Sequence, residues 1–152
     1  MRILTKKTHP NATIPVRATE HAAAYDFFST EDFDLRYGEA KTIGTGISVA
    51  IPNDHVLLMF SRSGHGFKHN ISLANCVGVI DADYRGEIKV KLSRPMFGSD
   101  TVWADSEVQY SGMAGDRIAQ GMLVPRVNME FEEVGALPES GRGDGGFGHT
   151  GA

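Results

Sequence analysis

The chain has a single cysteine, Cys76, so no intrachain disulfide can staple it. At 152 residues it can bury a hydrophobic core in one domain without one. Long apolar runs are missing as well. The opening MRILTKKTHP is basic, but no hydrophobic stretch follows it. Neither a secretory signal peptide nor a membrane anchor is therefore expected, and the reading is a cytoplasmic protein with no membrane partner. Excess positive charge is also lacking. A net charge of −4 gives no long-range attraction for nucleic acid, so no nucleic-acid partner is expected. An anionic ligand must then be gripped by local donors. No window offers sustained helical periodicity with caps, which speaks against a helical bundle.

What is present reads as short strands. Residues 45–52 carry Ile47, Val49 and Ile51 at period two and close on Pro52. Residues 55–60 form a compact apolar run. Residues 77–80, and then Ile88, Val90 and Leu92, flank a polar turn at 81–86. A further strand is predicted at 102–110, and residues 118–127 are again apolar. The RSGHGFKHN stretch breaks the strand pattern and predicts a short helical turn after Gly64. Many short strands with turn signals at roughly 8–12-residue spacing predict an all-β sandwich or barrel. Beyond Pro138 the chain turns glycine-rich, with Phe147 its one large apolar residue. Such a segment cannot offset its own ordering entropy. The expected division is a β body at 1–138 and a flexible arm at 139–152, ordered only on a ligand or a neighbouring subunit.

Four segments carry the chemistry. In Gly78-Val79-Ile80-Asp81-Ala82-Asp83-Tyr84-Arg85-Gly86, apolar residues lead into a tip with two carboxylates and a tyrosine. Aspartate is a good turn former, which alone explains it; an Asp81 aimed by a rigid strand can also take a proton from water. Ser61-Arg62-Ser63-Gly64 offers a bidentate fork, a hydroxyl and a closely approachable backbone, all suited to phosphate. A solvated junction between strand and loop is the plainer account. Gly115-Asp116-Arg117-Ile118-Ala119-Gln120 reads as a turn and a strand, with Gln120 able to orient water or bind phosphate. The fourth is the arm. Its successive glycines allow backbone amides to wrap an anion, Arg142 and Thr150 add side-chain donors, and Phe147 can stack on a base. It is no P-loop, since no Gly-Lys-Ser/Thr and no following helix are present. Asp26 is either a strand residue or a metal-associated carboxylate. His65 and His69, four apart without a third ligand, read as surface residues. Cys76 reads as a small buried hydrophobe, and Trp103 as core or interface.

In this order the segments resemble the five motifs of the trimeric dUTPase family, across nearly the whole chain. Ala24-Tyr25-Asp26-Phe27 resembles the first and Ser61 to Gly64 the second. Residues 75–87 resemble the third, Gly115 to Gln120 the fourth and residues 142–151 the fifth. The resemblance implies a β jelly roll and a homotrimer whose sites are each built by three subunits. It implies hydrolysis of dUTP to dUMP and pyrophosphate with magnesium, limiting uracil in DNA and supplying dUMP for thymidylate synthesis.

By the same resemblance, Asp81 activates the attacking water, with Gln120 and Arg142 completing the catalytic set. Arg62, Ser63 and Gly64 contact phosphate. Asn75, Gly78 and Val79 read uracil, and Tyr84 lies under the deoxyribose. Phe147, Gly148, His149 and Thr150 close over the nucleotide, and Asp26 holds the metal through water. Three departures stand out. Ala24 replaces a glycine, His149 replaces a serine, and the stretch between the third and fourth motifs is long. The extra length falls at 94–112, where a protein partner could dock or a loop could simply be longer. A dCTP deaminase is the nearest rival, but deaminases carry Pro-Gly after the turn aspartate and this chain has Ala82-Asp83. Two rivals come from further away. A regulatory protein would bind nucleotide as a signal, and a plain structural jelly roll would leave the arm unexplained.

Overall fold

The computed structural model describes residues 1–95 and 109–146. The predicted strand at 102–110 and the arm residues Phe147, Gly148, His149 and Thr150 therefore fall wholly or mostly outside the described residues. In chain order the elements begin with β1 (Leu4–Lys7), β2 (Tyr25–Phe28), β3 (Phe33–Leu35), β4 (Ala40–Gly44), β5 (Ile47–Ala50) and β6 (His55–Phe60). The helix α1 (Ser63–His69) follows. Then come β7 (Ser72–Leu73), β8 (Val77–Ile80), β9 (Lys89–Ser93), β10 (Tyr110–Gly112) and β11 (Arg117–Pro125). The all-β expectation holds, and the helical turn expected after Gly64 is a seven-residue helix beginning at Ser63.

A four-stranded sheet runs β2-β11-β6-β8, and a three-stranded one runs β4-β9-β7; β1 with β5 and β10 with β3 form two-stranded ribbons. All pairings are antiparallel. That suits strands joined by short turns, and it lets each strand bury alternate residues. In β9 the alternation is complete: Val90 and Leu92 are buried, Lys89 and Lys91 exposed. One apolar cluster joins the layers, with Phe27, Leu57, Met59 and Ile118 from the four-stranded sheet meeting Ile43, Leu73, Val90 and Leu92 from the other.

The strand β11 is the spine. It pairs on one side with β2 and on the other with β6, so Gln120 lies opposite both Asp26 and Phe60. Gly121 allows this crowding, because a Cβ there would sit 2.6 Å from Phe27 and 3.1 Å from the Met59 sulfur. Register thus places the first motif, the residue before the second and the end of the fourth side by side. Beyond Pro125 the chain leaves the body. Residues 126–142 are exposed throughout, so the departure lies well before the arm boundary expected at 139. Among the described residues no helix is long and apolar enough to cross a membrane.

Candidate active site

The strands deliver Asp26, Arg62, Ser63, Arg117 and Gln120 to the walls of one cleft of about 730 Å³. Asp26 comes from the middle of β2 and its side chain is only 13% exposed. Arg62 Nε donates to Asp26 Oδ1 at 3.2 Å, and Arg117 Nη1 lies 3.5 Å from Oδ2. Arg62 also donates through Nη1 to the Arg117 carbonyl at 2.9 Å. The carboxylate is thereby desolvated but flanked by two guanidinium groups, as a buried charge requires. Gln120 Nε2 donates to the Ser61 carbonyl at 2.9 Å, tying β11 to the residue before Arg62. Ser61 Oγ in turn accepts from the Leu73 amide at 2.8 Å. Ser61 and Gln120 therefore brace the loop, a duty the sequence did not disclose. Ser63 is exposed, and the space where Gly64 would carry a Cβ is open. Two guanidinium groups, a hydroxyl and an open backbone suit a polyanion.

The hairpin tip is separate: neither Asp81 nor Tyr84 lines this cleft. Asp81 follows β8 directly and is exposed, and its carbonyl accepts from the Tyr84 amide at 3.2 Å. Tyr84 Oη donates to the Glu87 carbonyl at 2.9 Å, and the tyrosine ring fills the space where Gly86 lacks a Cβ. Glu87 Oε1 accepts from the Gly46 amide at 2.8 Å and anchors the hairpin base on the turn before β5. Asn75 donates to the Val77 carbonyl at 3.4 Å; Gly78 faces Met59, and Val79 is exposed. In the arm, Arg142 Nε donates to the Gly145 carbonyl at 2.6 Å, and Gly143 takes a left-handed φ of 55° to close that turn.

Two sequence readings are corrected. Cys76 is exposed, not buried; it lines the cleft and holds a left-handed φ of 61°. Such a conformation is costly for a non-glycine residue and gathers at ligand-facing turns. His65 is not on the surface: it is 6% exposed and is the one buried residue of α1. Neither placement is legible in sequence, because burial of a single polar residue depends on what packs over it.

Burial, seconded by the charges of Arg62 and His69 and opposed by Asp116, pushes the His65 pKa down from 6.5 to about 4. The folded pKa lies below the unfolded one, so between about pH 4 and 6.5 the unfolded chain binds the extra proton. His65 should thus cost stability as pH falls through that window, by up to about 1.4 kcal/mol per unit, and cost none above it. Scanning calorimetry from pH 7.5 to 4.5 should show a melting temperature that falls less steeply in His65→Leu. Parallel curves for the two proteins would refute the assignment.

Among the described residues no three histidine, cysteine or acidic side chains converge as a metal cage. With both Asp26 oxygens already beside arginines, the carboxylate suits contact through water rather than direct ligation. That is how magnesium commonly binds, keeping waters and taking further oxygens from substrate phosphates.

The chain belongs to the dUTPase family, whose sequence model matches residues 10–151. It is 40% identical over 151 residues to the deoxyuridine 5′-triphosphate nucleotidohydrolase of Nautilia profundicola, covering 99% of each chain. To that of Finegoldia magna it is 39% identical, covering 99% of this chain and 98% of the other. Among solved structures, the dUTPase of Staphylococcus bacteriophage 80alpha with dUPNHPP superposes with a TM-score of 0.87 at 28% identity, covering 99% of both chains. The phage phi11 dUTPase of S. aureus, described with a coordinated structural Mg(II) ion, gives 0.79 at 26% identity over 91% of this chain and all of the other. With these neighbours, the architecture is the β-barrel jelly roll of the family.

Proposed function

We propose that the chain hydrolyses dUTP to dUMP and pyrophosphate, by in-line attack of water on the α-phosphorus. One observation carries the site assignment: a single cleft gathers Asp26, Arg62, Ser63 and Gln120, which come from three motifs far apart in sequence. Charge accumulates on the phosphate oxygens during such a displacement, so catalysis is mainly positioning and electrostatics. Arg62, Ser63 and the Gly64 backbone bind the phosphate chain. Asp81 takes the proton from the attacking water. Arg142 neutralises the γ end, and Phe147, Gly148, His149 and Thr150 cover the nucleotide and exclude bulk water. Asp26 would hold a magnesium ion through water, and that ion, when bound, supplies further neutralisation of the triphosphate.

Selectivity follows from unpaired polar groups and contact. Asn75 with the backbone at Gly78 and Val79 would read uracil, and cytosine would leave its partners unmatched. Such mismatches reach about 10⁴-fold in discrimination. Tyr84 would leave no room for a ribose 2′-hydroxyl.

A homotrimer completes the arrangement. One chain keeps its cleft and its Asp81 hairpin apart, so the reading requires the hairpin of one subunit to face the cleft of another. Residues Val127, Met129 and Phe131 support association: they alternate as in a half-buried strand yet are strongly exposed, Phe131 by 93%.

Pyrophosphate release from each deoxynucleoside triphosphate, with and without magnesium, tests the reading. Release from dUTP alone is expected; ammonia from dCTP would instead favour the deaminase. A second role has one specific support. Phage dUTPases, the 80alpha protein among them, are described as controlling transfer of virulence genes. A protein partner would then be sought at residues 94–112, by pull-down with and without that segment.

A further inference from the structure

The helix α1 should be a poor element on its own. It has seven residues, no side-chain cap on its first turn, no acidic residue there, and glycine at positions 64 and 66 within it. Isolated helices of this length are unstable in water, and each interior glycine costs roughly a further 1 kcal/mol relative to alanine. Yet Ser63 and Gly64 must be held still if they are to grip a phosphate. Tertiary contacts have to supply the rigidity.

They do so mostly at one place. His65 is the helix's one buried residue, and its Nε2 lies 3.0 Å from Tyr110 Oη. Tyr110 packs edge-on to His65 at 5.5 Å between ring centroids, and against His69 at 4.8 Å and Phe33 at 6.0 Å. The helix end is fastened by neighbouring chain. Arg94 Nε donates to the His69 carbonyl at 3.0 Å, and Asn70 Nδ2 to the Pro95 carbonyl at 3.1 Å. At the other end, the amides of His65 and Gly66 both donate to the Arg62 carbonyl at 3.1 Å. A shift of the imidazole is thus passed directly to the backbone of Arg62.

The choice of residue is informative. An apolar side chain could fill this position, whereas the imidazole leaves Nδ1 buried with no partner. An unpaired buried polar atom costs about 1–3 kcal/mol. What the imidazole adds in return is a directional bond to Tyr110.

We propose that His65 and Tyr110 are a positioning pair that holds the Arg62–Gly64 segment in register for the phosphate chain of the substrate. The pair touches no substrate; it acts through the α1 backbone. The proposal rests on the reading of Arg62 and Ser63 as phosphate contacts.

Tyr110→Phe removes only the hydroxyl, and His65→Leu keeps bulk while removing the bond. Binding of dUMP and of the imido analogue dUpNHpp is measured by calorimetry on the full-length protein, with steady-state kinetics alongside. Both variants are expected to bind the analogue about fivefold to tenfold more weakly, the effect of one lost hydrogen bond. Affinity for dUMP should stay within about twofold, and KM should rise while kcat holds. His65→Gln, which keeps a polar partner for Tyr110, should recover part of the loss. Weakening of dUMP and analogue alike would mean general loosening and overturn the proposal, as would unchanged analogue binding in Tyr110→Phe. Arg62→Gln serves as the control. If it leaves analogue binding intact, the phosphate-contact reading fails first; if it weakens binding while Tyr110→Phe does not, only the positioning pair fails.

Discussion

Asp81→Asn should turn dUTP over at least about 100-fold more slowly than the parent chain while binding it about as well. The substitution keeps size and polarity, so the hairpin should stand. Its shape is set elsewhere: Tyr84 Oη donates to the Glu87 carbonyl, and Glu87 is clasped by the Gly46 amide. Among the described residues the Asp81 carboxylate has no hydrogen-bond partner of its own, so an amide there disturbs no structural contact. What asparagine cannot do is accept a proton from the attacking water. Single-turnover hydrolysis together with analogue binding separates the two effects. Near-parental turnover with normal affinity would remove Asp81 from the role of base.

Deleting residues 139–152 should abolish most turnover, by about 10²-fold or more, and leave the melting temperature unchanged. The loss of turnover follows from charge. Arg142 and the glycine-rich amides are the donors assigned to the γ end, and losing such preorganised donors commonly costs 10²–10³-fold. The unchanged stability follows from packing. The described part of the arm, residues 139–146, buries no apolar side chain in the core, and its hydrogen bonds run within itself. Calorimetry and pyrophosphate release on the same truncated preparation provide the check. A drop of many degrees on truncation would show the segment to be structural, and full activity would show that it does not close the site.

Legibility from sequence varies with the length of the pattern. Strands β6 and β8 are legible with the bounds they have, because four to six consecutive residues of apolar or alternating type leave little choice. Residues 45–52 overshoot β5 (Ile47–Ala50), since a proline marks where a strand must stop but not where pairing ends. The short elements β3 and β7, of three and two residues, give no countable period. They exist because β10 and β9 offer them partners. His65 and Cys76 escape a sequence reading for a related reason. Neither a histidine inside an RSGHGFKHN stretch nor a cysteine before an apolar run says which neighbour will cover it.

By itself the amino-acid sequence determined the fold class, the family and the roll of reactive side chains. These depend on local alternation, on turn chemistry and on motifs spelled in consecutive residues. Tertiary structure alone decided that Asp26 would sit between Arg62 and Arg117, and that one cleft would exclude Asp81. It also decided that a marginal helix would be steadied through His65. Each of these depends on strand register and on contacts between residues far apart in the chain, which no local pattern encodes.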